Sequence, residues 1–366
     1  MIYVVKAGDT LSAIARKFGV SVEALAWLNQ IPDPDVLVVG QALLILYNIV
    51  PKPLSIEVNG YAYPYISPWV LRETLPFLNL LSVFSYGFLP DGTLLPPPLQ
   101  DDWLVERAER AALVLTPFGE DGQFNNVLVN RLLADRTAQE KLLRQLAAVM
   151  ARKGYAELNI DFEFVQAQDR VAFADFVRLA ADTLEYTVSV CLAPKTSADQ
   201  RGLGYEGKDY RLLGEAADRV LLMTYEWGYK YGPPLPVAPI DSVRRVVEYA
   251  LTEIPAGKIS LGLANYGYDW PLPYVRGQTA ARTISSVEAV ELAKLVGAEI
   301  QFDEQAQSPW FQYTNKGVEH IVWFEDIRSW QAKLDLLREY DLTGLGIWQI
   351  MRLFRAGMYL IGNIDF

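Results

Sequence analysis

The sequence predicts an α/β fold: a (β/α)8 barrel with a small α+β insertion before its last strand, preceded by a small strand–helix–helix–strand unit. Three observations carry this. Eight short apolar runs alternate with helical patterns over roughly 310 residues, enough for a barrel that typically needs about 250. The last crossover is too long to be a single helix. The first 46 or so residues form a separate pattern that closes before Pro51-Lys52-Pro53, a short stiff linker. The resulting division is 1–47, a linker over 48–53, and 54–366 with an insertion over about 272–325. A doubly wound open sheet is the alternative for the large unit.

In the first unit, Tyr3 to Val5 reads as a strand and Gly8-Asp9-Thr10 as a turn, with Asp9 or Thr10 placed to cap the next helix. Leu11, Ile14, Ala15 and Phe18 recur at helical spacing until Gly19. Ser21 caps a second helix carrying Val22, Leu25 and Leu28, and Ala42 to Leu46 is the closing strand. The barrel strands are expected at Ile56–Tyr61, Leu80–Phe88, Ala111–Pro117, Ala156–Phe162, Thr187–Ala193, Arg219–Thr224, Lys258–Ala264 and Gly344–Ile350. Helical patterns cover Val127 to Lys153 (broken near Ala134), Arg170 to Leu184, Val243 to Glu253 and Glu325 to Tyr340. Within the insertion, Tyr274, Ile284, Val290, Ile300, Phe311 and Val322 are the candidate core.

Composition narrows the chemistry. A net charge of -11 argues against a nucleic-acid surface, which needs a basic stripe, and weakly against an anionic membrane. No apolar run is long enough for a transmembrane helix, and the N-terminus lacks the pattern of a secretory signal peptide. Cys191 is the only cysteine and sits in an apolar strand pattern, so it reads as a structural thiol. With His320 the only histidine and nothing supporting it, Ser-His-Asp and multi-histidine metal sites are excluded. Carboxylates, tyrosines or a cofactor must carry any reaction.

Two strand ends are chemically rich, at the end of a barrel where catalytic groups gather. In Glu157-Leu158-Asn159-Ile160-Asp161-Phe162-Glu163, alternation sets Asn159, Asp161 and Glu163 on one face. Neighbouring carboxyls raise one another's pKa, which suits a general acid. The same row also reads as a solvated edge or an internal salt-bridge network. In Met223-Thr224-Tyr225-Glu226-Trp227, an apolar run ends in a hydroxyl donor, a carboxylate and an indole. Here a tyrosine simply packed at the rim is the competing reading.

These segments resemble glycoside hydrolase family 18. Asn159 to Glu163 is similar to its fourth-strand D-G-x-D-x-D-x-E, and Met223 to Glu226 to its sixth-strand M-x-Y-D. Trp348, in Gly346-Ile347-Trp348-Gln349, falls where that family places the aromatic floor under the cleaved sugar. Asn265 to Tyr274 and Glu226 to Tyr229 resemble one branch, the bacterial spore cortex-lytic enzymes. The family's first Asp is Ala156 here, its Gly is Glu157, its second Asp is Asn159, and its sixth-strand Asp is Glu226. The N-terminal unit resembles a LysM module through Tyr3 to Leu11, Phe18-Gly19-Val20, Leu28-Asn29 and Gly40-Gln41.

The resemblance implies a retaining, substrate-assisted hydrolysis of N-acetylglucosamine bonds, in which the substrate's acetamide is the nucleophile. Glu163 is then the proton donor, Asp161 orients the acetamide, and Tyr225 bonds its oxygen. Asn159 holds Asp161 by a hydrogen bond, Trp348 floors the sugar, and Glu226, Trp227 and Tyr266 complete the substrate contacts. Gly8, Asp9 and Thr10 belong to one of two loops, Gly8 to Leu11 and Ile31 to Val36, that border the glycan groove of the small module. No metal or organic cofactor is required. The implied partner is peptidoglycan, spore cortex above all, or another N-acetylglucosamine polymer. The implied place is the spore coat or cortex surface, the cytoplasm otherwise. A chitinase, a non-catalytic glycan-binding protein and a structural coat protein remain alternatives, and the oligomeric state is open.

Overall fold

The computed structural model describes residues 1–50, 54–119 and 122–363; the expected Pro51–Pro53 stretch lies outside them. In the small unit, strand Ile2–Val4 pairs antiparallel with Ala42–Leu44, and helices Leu11–Phe18 and Val22–Leu28 pack over them. Of the two candidate caps, Thr10 serves: its hydroxyl accepts from the Ala13 N–H at 3.2 Å. Asp9 instead accepts from the Tyr3 hydroxyl and the Lys6 N–H, both at 2.8 Å. Ser21 caps the second helix. Val5, Leu11, Ile14, Leu25, Leu43 and Ile45 form a core of their own.

The large unit is a closed eight-stranded parallel barrel. Its strands, first to eighth, are Glu57–Ala62, Leu80–Phe88, Ala111–Leu115, Glu157–Ile160, Thr187–Leu192, Arg219–Leu222, Ile259–Ala264 and Gly344–Trp348. The eighth pairs with both the seventh and the first, and the first pairs with the second, which closes the ring. Closure excludes the open-sheet alternative. These strands are buried on both faces, which is why they read as near-continuous apolar runs. Several stop two residues short of the expected end. At the sixth, the Thr224 and Tyr225 N–H groups turn back to the Leu222 and Met223 carbonyls, so the chain leaves the ladder where the polar residues begin. The long helical pattern divides as expected into Asn126–Ala134 and Arg136–Lys153, with Asp135 capping the second.

The insertion is a five-stranded antiparallel sheet in the order Arg282–Ile284, Gly267–Pro271, Val318–Trp323, Ser308–Asn315, Gln301–Asp303, packed on helix Ser286–Val296. It begins at Gly267, ahead of the expected start near 272. The barrel strand is followed by an insertion strand with only Asn265-Tyr266 between. Ile284, Ile300, Phe311 and Val322 are buried in its core and Val290 packs against them, but Tyr274 packs on the barrel's core instead.

The small unit is docked on the large one. Val38 is buried in the insertion's core, and the Ile300 N–H donates to the Val39 carbonyl at 2.9 Å. The Arg355 guanidinium lies 4.1 Å over the Trp27 ring and donates to the Trp27 carbonyl at 2.8 Å. Gln30 bonds both the Leu353 carbonyl and the Arg355 N–H. Gly40 has φ +84, and a Cβ there would stand 1.8 Å from the Ile300 oxygen, so only glycine fits this contact.

Candidate active site

The fourth strand divides its two faces as alternation dictates. Leu158, Ile160 and Phe162 point outward into the core, where the Phe162 ring stacks at 5.6 and 5.7 Å on Phe173 and Phe176 of helix Arg170–Thr183. The inward row splits by height, and the network reading holds at its lower end. At the closed end, Glu157 accepts from the Ser189 hydroxyl at 2.6 Å and from Arg219, which also reaches Glu57. Asn159 joins this network: its Nδ2 donates to Ser189 Oγ at 2.8 Å, and its Oδ1 accepts from Tyr61 at 3.2 Å and Cys191 at 3.3 Å. Asn159 therefore does not hold Asp161 by a hydrogen bond; its amide is committed below.

At the open end, Asp161 and Glu163 line a cavity with Tyr61, Tyr63, Phe84, Phe118, Phe124, Cys191, Leu221, Met223, Tyr225, Glu226 and Trp348. Asp161 is 5% exposed, and its Oδ1 has no hydrogen-bond partner. Burial pushes the Asp161 carboxyl above its usual range, and Lys208 pulls it partly back. Glu163 is half-buried. Burial pushes it up, the negative charges of Asp161 and Glu226 add to this, and Lys208 opposes. A carboxyl so placed stays protonated near neutral pH, as a general acid must. Tyr225 is buried, and burial with the surrounding anions holds its phenol well above its usual range, so it remains an O–H donor. Gly262 makes room for it: a Cβ there would meet Tyr225 Cε1 at 2.9 Å. Trp348 is wedged edge-on against Phe84 at 5.0 Å and Tyr61 at 5.9 Å.

Glu226 has φ +69, and its Oε1 accepts from the Tyr266 and Tyr268 hydroxyls at 2.5 and 2.8 Å. With Asn265, Trp348 and Arg352 these residues line a second cavity, and Glu226 and Trp348 border both spaces. Trp227 lines neither; it packs half-buried against the barrel core. Gly8, Asp9 and Thr10 lie on the small unit, away from both cavities. Three contributors escaped the sequence reading. Tyr268 was within reach, two residues beyond Tyr266. Cys191 reads from the sequence as a strand thiol, with no sign of its place on the cavity wall. Lys208 is a single cation in a loop, with no pattern to mark it.

The profile of the glycosyl hydrolases family 18 matches residues 114–352, and that of the LysM domain matches residues 3–45. A cortical fragment-lytic enzyme of Bacillus subtilis (strain 168) is 41% identical, with 99% of this chain and 97% of that protein covered. The crystal structure of the Bacillus cereus spore cortex-lytic enzyme SleL superposes with a TM-score of 0.81 at 34% identity, covering 100% of this chain and 86% of that one. A chitinase from Chromobacterium violaceum ATCC 12472 shares the fold, at a TM-score of 0.78 and 23% identity over 85% of this chain and 100% of that one. A carboxylate pair at the mouth of a closed barrel, a docked LysM domain and these matches lead to one assignment: the chain belongs to glycosyl hydrolase family 18 and is a glycosidase.

Proposed function

We propose that this glycosidase cleaves N-acetylglucosamine bonds of peptidoglycan, in the spore cortex during germination, with retention of configuration and with the substrate's own acetamide as nucleophile. The observation that carries the mechanism is the pairing of a protonatable Glu163 with a buried Asp161 whose Oδ1 is an unused acceptor. An acetamide N–H is a natural partner for that oxygen, and held there it turns the acetamide carbonyl toward the anomeric carbon. Glu163 protonates the leaving glycosidic oxygen, and the acetamide oxygen closes on the anomeric carbon. The cyclic cation is stabilised by Asp161 and by a hydrogen bond from Tyr225. Glu163 then takes a proton from the incoming water, and the ring opens. An intramolecular nucleophile acts at high effective molarity, so no second free carboxylate is needed. Glu226, the remaining candidate, already accepts two tyrosine hydroxyls. Trp348 floors the sugar.

The substrate assignment rests on relatives named for cortex and cortical fragments, and a spore-associated location goes with it. Residues 1–47 act as the glycan-binding module and 54–366 as the catalytic unit. The test is a digest of muramidase-treated cortex fragments and of chitin oligomers, with wild type and Glu163→Gln, read by mass spectrometry. New N-acetylglucosamine-ended products from cortex, absent with the variant, are expected. General acid catalysis is commonly worth about 10²–10⁴-fold, so wild-type turnover in Glu163→Gln refutes the assignment. Products from chitin alone make the enzyme a chitinase.

A further inference from the structure

Lys208 is 1% exposed, as deeply buried as the core aromatics around it. Its ammonium donates to two main-chain carbonyls, Phe162 O and Cys191 O, the latter at 3.2 Å, and lies 4.9 Å from the centre of the Phe173 ring. The Phe162 carbonyl belongs to the peptide that joins Phe162 to Glu163, so the contact falls between the two candidate catalytic carboxyls. Among the described residues Lys208 forms no ion pair within 4.0 Å. Burying an ammonium without one is expensive.

The chain around it is built to hold it there. Lys195, 2% exposed, donates to the Lys208 carbonyl at 2.8 Å and to the Ala198 carbonyl at 3.2 Å. Asp209 caps helix Tyr210–Ala216 through the Leu212 N–H at 3.0 Å. Gly207 lies so close to the Val165 carbonyl that a Cβ would stand 2.2 Å from its oxygen. A strap from 195 to 209 thus delivers one ammonium behind the fourth and fifth strands.

We propose that Lys208 is a positioning residue: it pins the peptide between Asp161 and Glu163 and sets a buried positive charge behind that pair. This rests on the roles proposed above for the two carboxyls. The ionisable groups facing the pair are Lys208, Cys191, Glu226, Tyr61, Tyr63 and Tyr225, and Lys208 is the only cation among them. Its attraction opposes the upward push of burial on both carboxyls.

The test is the pH dependence of kcat/KM on chitin oligomers and cortex fragments for Lys208→Met and Lys208→Arg, with folding checked by circular dichroism. In Lys208→Met both limbs move to higher pH by about one unit or more, the usual effect of losing an opposite charge nearby. In Lys208→Arg they stay near the wild-type positions. A folded Lys208→Met whose limbs have not moved overturns the proposal. Should that variant fail to fold, the coupling is read from the other side by nitrogen NMR of the lysine side chains. In Asp161→Asn the Lys208 ammonium then titrates at lower pH than in the wild type, and an unchanged titration overturns the proposal equally. A wild type inactive on both substrates refutes the functional reading instead and leaves this NMR comparison standing.

Discussion

Asp161→Asn removes one negative charge and little volume, so it isolates what Asp161 does to Glu163. The two residues are two apart in sequence and line one cavity, and at extended-chain spacing that sets their side chains roughly 6–7 Å from each other. At an effective dielectric of about 20, two unit charges at that distance repel by about 2.5 kcal/mol, close to 2 pKa units. Glu163 is half-buried, and screening by solvent reduces this to about 1–2 units. The sign follows: Asp161 raises Glu163, so its loss lowers the Glu163 pKa. The alkaline limb of kcat/KM, which reports deprotonation of the acid in the free enzyme, then moves to lower pH by about 1–2 units. Residual turnover falls in addition, by about 10²–10³-fold, as when one electrostatic stabiliser of a transition state is removed. The assay is the release of reducing ends from soluble oligomers between pH 4 and 10, at enzyme concentrations high enough to follow the variant. An alkaline limb at its wild-type position, in a variant that folds, refutes the coupling between the two carboxyls.

Two further outcomes test the framework that carries the site. Gly40→Ala forces a side chain into a left-handed backbone and against the Ile300 carbonyl, so it lowers stability by about 1–3 kcal/mol in urea denaturation; an unchanged midpoint means the interface yields easily. Lys333→Met strands Glu325, which is 1% exposed and whose partner lies 2.8 Å away. Breaking such a pair costs about 3–5 kcal/mol. Burial holds the folded Glu325 pKa above its unfolded value, so the carboxyl favours the fold at low pH and loses that contribution as pH rises through the folded pKa. Lys333 pulls that pKa back to about 7, so its loss raises it further and the stability gap from wild type widens as pH rises through about 7; a pH-independent gap contradicts this origin.

Much of the barrel was legible because its strands are buried on both faces and separated by amphipathic helices. The period of two carried Asp161 and Glu163 to one face and Phe162 to the other without any knowledge of partners. What was illegible depended on contacts distant in sequence. Asn159 looks equally able to bond Asp161 or a neighbouring strand, and only the Ser189 hydroxyl, thirty residues on, decides it. Lys208 carries no periodic signal because its partners are main-chain carbonyls, which every sequence has. Gly40 reads as an ordinary turn glycine, and its closest neighbour is 260 residues away. The boundary of the insertion was blurred because buried strands run up to Asn265-Tyr266 from both sides.

The docking of the small domain bears on avidity. When two sites are joined by a flexible tether, the second binding event depends on an effective concentration set by tether length. Here Val38 is part of the insertion's own core and Arg355 clamps Trp27, so the separation of the two sites is fixed by packing. Lengthening the segment between the domains leaves this packing, and so their separation, unchanged. Under the glycan binding proposed for the small domain, that fixed placement favours chains long enough to reach both domains and gives short fragments no advantage from the second one.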